Sequence, residues 1–140
     1  MNELELVKTW VQGYPGLGAL QVAALGGRPG DCGLFPQGIQ VLQTQEDVQG
    51  NRLEKCRLTF SLRRVFYRQE EAAVWCLGLQ NWVWEQCAMG LAPKLGEKTG
   101  VFRAERGRMT KQQAGAATYE VVLTAEFFRR YEHGKNRSPV

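Results

Sequence analysis

Side chains able to do chemistry are few in this chain, and their spacing is poor. The only histidine is His133, close to the end. A serine or cysteine nucleophile needs an imidazole held near the core of a fold, and His133 falls in a charged terminal stretch. The four cysteines, Cys32, Cys56, Cys76 and Cys87, form no C-x-x-C pair. Zinc ligation needs closer Cys/His spacing, so no metal site is expected. Cys56, Cys76 and Cys87 read instead as small core residues, and disulfides are not expected in a reducing cytoplasm.

Two carboxylate pairs, Glu46/Asp47 and Glu70/Glu71, have the composition for acid–base work. The first falls in a turn. The second falls in the first turn of a helix, where the dipole favours negative charge. Gly13, Gly16 and Gly18 weakly imitate a dinucleotide fingerprint but follow a helix rather than a strand, and there is no G-x-x-x-x-G-K-[ST] phosphate loop. The expectation is therefore no enzyme, no cofactor and no catalytic residue.

Three features remain that chemistry does not absorb. Trp84 lies off the apolar stripe of its helix, either at a core edge or at an interface, where tryptophan is enriched. Leu34 and Phe35 sit in a loop, 32–37, flanked by glycines and Pro36. They either tuck under the sheet or plug into a neighbour. Arg57, Arg63, Arg64 and Arg68 gather along one strand, either as a solvated face or as a surface meeting an acidic patch on another subunit. With Arg108 and Lys111 from a polar loop at 107–117, the candidate interface is Leu34, Phe35, Arg57, Arg63, Arg64, Trp84, Arg108 and Lys111.

The elements that must position these residues follow from periodicity. Residues 2–12 predict a helix with Asn2 as N-cap and Glu5 reaching back, and with Leu6, Val7, Trp10 and Val11 on one face. Residues 69–89 predict the main helix, its apolar face formed by Ala72, Trp75, Cys76, Leu79, Trp82, Val83 and Cys87. Strands are expected over 20–25, 39–45, 52–67, 101–106 and 118–128. The long strand 52–67 alternates Cys56, Leu58, Phe60 and Leu62 with Lys55, Arg57, Thr59, Ser61 and Arg63, giving one buried and one wet face. Tyr119, Val121, Leu123, Ala125 and Phe127 alternate in the same way against Glu120 and Glu126.

The order α-β-β-β-α-β-β predicts an α+β fold: a mostly antiparallel sheet of four to five strands with two helices packed on one face. One domain spans 1–132, with a flexible tail at 133–140. The chain has 140 residues, 44% hydrophobic and 23% charged, which suits one globular core. No apolar run approaches the roughly 20 residues of a membrane span. The acidic start lacks the form of a secretory signal, so a cytoplasmic setting is expected. The net charge is +4, with eight basic against four acidic residues from Arg103 onward. That excess is too diffuse to name a nucleic-acid binder.

Several stretches, taken in order, carry a resemblance. They are Gly33-Leu34-Phe35-Pro36-Gln37-Gly38, Gln49-Gly50-Asn51-Arg52 and Phe60-Ser61-Leu62-Arg63-Arg64. After these come Trp75 with Leu79-Gln80-Asn81-Trp82-Val83, then Arg103-Ala104-Glu105. The last are Tyr119-Glu120-Val121, Leu123-Thr124-Ala125-Glu126-Phe127 and Arg130-Tyr131-Glu132. In this order the chain resembles the small tail-terminator, or tail-completion, proteins of tailed bacteriophages, minor tail or capsid components found in prophages of Gram-positive bacteria. The resemblance implies a ring of six subunits that caps the tail tube and joins it to the head. Its partners would be copies of itself, the tail-tube protein and a head-completion (connector) protein, with DNA only as passing cargo and no membrane. It implies a place in the virion tail after assembly in the host cytoplasm, and no site residues to transfer.

The alternative is a small nucleic-acid-binding module using the basic strand face. Base-stacking platforms interleave aromatics with cations, and the wet face of 52–67 has no aromatic at its middle. The segments expected to make the assembly joint are the hairpin at 46–52 and the loop at 107–117, the latter mobile until docked.

Overall fold

The computed structural model describes residues 2–96 and 98–132, so His133 and the tail at 133–140 lie outside the described residues. Helix α1 (Glu3–Val11) begins where the Asn2 side chain accepts the Glu5 backbone N–H at 2.8 Å. Then come β1 (Ala19–Val22), β2 (Asp31–Glu46), β3 (Arg52–Phe66), α2 (Gln69–Ala88), β4 (Lys98–Ala104), β5 (Arg108–Gln113) and β6 (Ala116–Tyr131). The architecture is α+β, with six strands in one sheet ordered β1-β2-β3-β6-β4 and β5 also paired to β6. Every pairing is antiparallel except that of β1 with β2, which is parallel.

Register fixes the core. Phe60 lies opposite Leu123, Leu62 opposite Val121 and Leu34, and Leu58 opposite Ala125. Cross-strand partners share a face, so these side chains form one apolar layer. Both helices close over that layer. Trp75 of α2 meets Phe66 at 5.4 Å, Trp10 of α1 meets Phe102 at 4.7 Å, and Trp10 stacks on Trp82 at 5.1 Å. Val7, Val11, Leu79 and Val83 are buried between them. Trp82 itself is only partly buried, because it stacks at the seam of the two helices.

The sheet exceeds the expected four to five strands because the segment 107–117 is not a mobile loop. It forms β5 and the turn into β6, with Gly115 at φ 78°. All of β5 is exposed, so no buried alternation marks it in the sequence; its ladder with β6 holds it in place. β4 and β5 run along the same side of β6, on 123–128 and 116–120. They are divided at Gly107, where a Cβ would run into the sulfur and Cβ of Cys76.

The loop expected at 32–37 is the start of β2. Pro36 and a bulge at Gln37 interrupt its pattern without ending the strand. Among the described residues, β2 pairs only with β3 from Pro36 to Glu46, because β1 covers just its first four residues, Asp31 to Leu34. Among the described residues, no helix is long and apolar enough to cross a membrane.

Candidate interaction surface

The face of the sheet away from the helices carries most of the basic residues singled out above. Arg57 lies opposite Glu126, Arg63 opposite Glu120, Phe35 opposite Ser61, and Arg108 opposite Glu120. Lys111 lies opposite Thr118, and Thr118 opposite Val65, so Lys111 belongs to this face too. It borders a small cavity of about 150 Å³ with Leu25, Gly26 and Val65.

Alternation predicts a face that is wet throughout, and at its centre it is not. Ser61 and Glu120 are both buried. The Ser61 hydroxyl donates to Glu120 Oε2 in a short hydrogen bond. Arg63 Nε donates to Ser61 Oγ at 3.0 Å and to Glu120 Oε2 at 3.2 Å. Arg108 grips the other oxygen, with Nε at 2.9 Å and a terminal nitrogen at 2.8 Å. Burial is the largest single influence on this carboxyl and pushes its pKa up. The hydrogen bonds from Ser61 and Arg108 and the charges of Arg108 and Arg63 together outweigh it, so the pKa lies below its ordinary value. Glu120 therefore stays ionised, and it clasps β3, β6 and β5 together.

The Arg63 guanidinium also lies over the Phe35 ring, 4.7 Å from its centroid. Further along the face, Glu126 accepts from Arg57 and Lys55, each at 3.2 Å. Those two hydrogen bonds, Arg57 first, hold its carboxyl below the usual range. Each of the two glutamates is thus shared by two cations, and the face is cationic but largely paired.

The remaining candidates lie elsewhere. Leu34 is fully buried in the core, so it tucks under the sheet and offers no contact surface. Arg64 is on the helix side. It donates to the Gly16 carbonyl and lies 4.8 Å from the Phe66 centroid, pinning the turn after α1. Trp84 is on the outward face of α2, 69% exposed, in line with Val74 at 73% and Leu77 at 67%. The positions 74, 77, 81, 84 and 88 follow helical spacing, so α2 has a second apolar stripe opposite its core face, interrupted by Asn81.

Burial pushes the Cys32 thiol up to about 12 and raises those of Cys56, Cys76 and Cys87. Protonated thiols are poor nucleophiles and poor metal ligands. Among the described residues no group of three His, Cys, Asp or Glu is placed to hold a metal ion. The open face carries ion pairs and the Arg63–Phe35 contact, and α2 carries exposed apolar side chains.

Ser61 and Glu120 are the pair that sequence reasoning missed. Both sit at polar positions of an alternating strand, where exposure is the default expectation. The signal lies in register, since only pairing β3 with β6 brings Arg63 opposite Glu120. Compared with known proteins, the chain matches no protein-family model and no curated protein.

Proposed function

We propose that this protein is a structural part of a phage virion, a tail terminator or closely related head–tail joining component. It assembles on itself as a six-membered ring at the head-proximal end of the tail tube, in the host cytoplasm. The tail-tube protein and a head-completion protein are its neighbours, and DNA passes as cargo. The ordered residue stretches support this reading, as does an α+β sheet with two helices on one face.

The observation that carries it is the outward stripe Val74, Leu77 and Trp84 on α2. Apolar side chains aligned on a surface are commonly covered by a partner. The test is sedimentation and electron microscopy of the purified chain, alone and with tail tubes that lack a terminator. Rings, and tubes capped at one end, are expected. A chain that stays monomeric and leaves tube ends bare refutes the reading.

One observation favours the second reading, a nucleic-acid module. Phe35, unseen as a face residue in the sequence, joins the cationic face beside Ser61. Against it, Arg63 already occupies the Phe35 ring, and Glu120 and Glu126 neutralise the nearby cations. Binding to a single-stranded oligonucleotide that weakens linearly with log salt would favour this reading over the first.

A further inference from the structure

Two sheet edges lie on opposite sides of the molecule, and they differ in charge. On one side, β2 has no strand partner but β3 from Pro36 to Glu46 among the described residues. That stretch is exposed throughout and shows Ile39, Val41 and Leu42 to solvent. From Asp31 to Asn51 there is no lysine or arginine, only the acidic Asp31, Glu46 and Asp47. Natural edges of this length are commonly guarded by lysine; this one has only Pro36 and two bulges.

On the other side lie β4 and β5. The β4 edge is capped by α2: Gln80 donates to the Ala104 carbonyl at 3.3 Å and the Cys87 thiol to the Phe102 carbonyl at 3.5 Å. β5 pairs with no strand other than β6 among the described residues, and all of it is exposed. From Arg106 to Gln113 its charges are Arg106, Arg108 and Lys111, with no acid.

We infer that the free edge of β2 pairs with the β5 edge of a second copy of this chain, so that one sheet continues from subunit to subunit. This contact rests on the ring reading above and specifies its joint. Topology sets the direction. β2 runs parallel to β6 and β5 runs antiparallel to it, so two copies in the same orientation meet as an antiparallel pair. In that sense the acidic end of β2 meets the basic start of the neighbour's β5. Cross-strand partners share a face, so Gln45, on the Arg57 face, comes opposite Arg108, and Thr44, on the helix side, comes opposite Met109, with Asp47 facing Arg106 just beyond the ends of the two strands.

Two different patches are used, so the contact is heterologous and repeats around an axis. It also steps. Val41 lies at the level of Phe127 on β6, whereas its partner Gln112 lies at Ala117. Ten residues of strand is a climb of about 33 Å per copy, which tilts the strands steeply against the axis of a closed sheet.

Two variants, Thr44→Cys on β2 and Met109→Cys on β5, test the contact by oxidation, separately and mixed. A disulfide-linked dimer is expected only in the mixture. Arg106→Glu should weaken self-association by about tenfold, and Arg106→Lys should leave it unchanged. Self-linking of Thr44→Cys alone would mean that β2 pairs with its own copy, which overturns the proposal. Rings that form with no cross-link in the mixture and no effect of Arg106→Glu overturn this joint and leave the ring reading standing. A chain that is monomeric at every concentration and caps no tube overturns both.

Discussion

Replacing Glu120 by alanine removes the acceptor shared by the Ser61 hydroxyl, Arg63 Nε and Arg108 Nε. Removing one partner of a buried ion pair costs about 3–5 kcal/mol when the charge left behind stays buried. Here it does not, since Arg63 is 35% and Arg108 73% exposed while Glu120 is 3% exposed. Both cations can turn to water, and Ser61 keeps Arg63 as a neighbour. The expected loss is therefore about 2–3 kcal/mol, near that of the charged hydrogen bonds alone. Arg108→Ala, which removes a mostly solvated cation, should cost only about 0.5–1 kcal/mol. Urea melts of the two variants measure both.

The pH dependence gives a second readout. Because the folded carboxyl titrates below its ordinary 4.5, its contribution is present above that value and is lost as pH falls through the folded pKa. Glu120→Gln lacks this contribution, so the stability gap between it and the parent should narrow in acid below about pH 4.5. A Glu120→Ala loss under about 0.5 kcal/mol, or an Arg108→Ala loss equal to it, would refute the clasp.

Gly107→Val should destabilise by about 1–3 kcal/mol or more, because its side chain meets Cys76 and Val121; thermal melts read this directly. Cys32 should resist thiol reagents at neutral pH until the chain unfolds, since its pKa is pushed up to about 12. Fast labelling in the native state would show that β2 opens at its start. Trp84→Ser should leave stability within about 0.5 kcal/mol while weakening self-association, as compared by melting and sedimentation on one sample.

The elements with a clean period are legible in the sequence. α1, α2, β3 and the middle of β6 fall where Val7 and Val11, Trp75 and Leu79, Phe60 and Leu62, and Val121 and Leu123 place them. β5 is not legible, because every residue from Arg108 to Gln113 is exposed and the ladder alone makes it a strand. The start of β2 is hidden by Gly33, Pro36 and Gly38, which have the character of loop residues although all three pair with β3. The parallel pairing of β1 depends on the fold as a whole, and no local pattern records it.

The candidate surface is legible in its cations and not in its carboxylates. Arg57, Arg63 and Arg108 announce themselves by charge and do share the open face with Phe35 and Lys111. Arg64 has the same type and a neighbouring number, but one step along a strand moves it to the other face. Glu120 has the pattern of a solvated residue because it alternates with Val121. The groups that surround it, Ser61 and Arg63 from β3 and Arg108 from β5, reach it only through strand pairing.

The tryptophans divide into two populations that light can tell apart. Trp10 and Trp82 stack at 5.1 Å, and Tyr14 links Trp82 to Trp75 at 5.7 and 6.4 Å, so three indoles form one rigid aromatic array. Trp84 lies outside that array, exposed on α2. Asymmetrically coupled rings should give the folded chain a strong near-ultraviolet circular dichroism signal, lost when α1 undocks from α2. Iodide in solution should quench the emission of Trp84 first. The molecule therefore contains two optical gauges, one reading the union of its helices and the other the covering of its outer face. A single titration can follow folding and assembly as separate signals without any added dye.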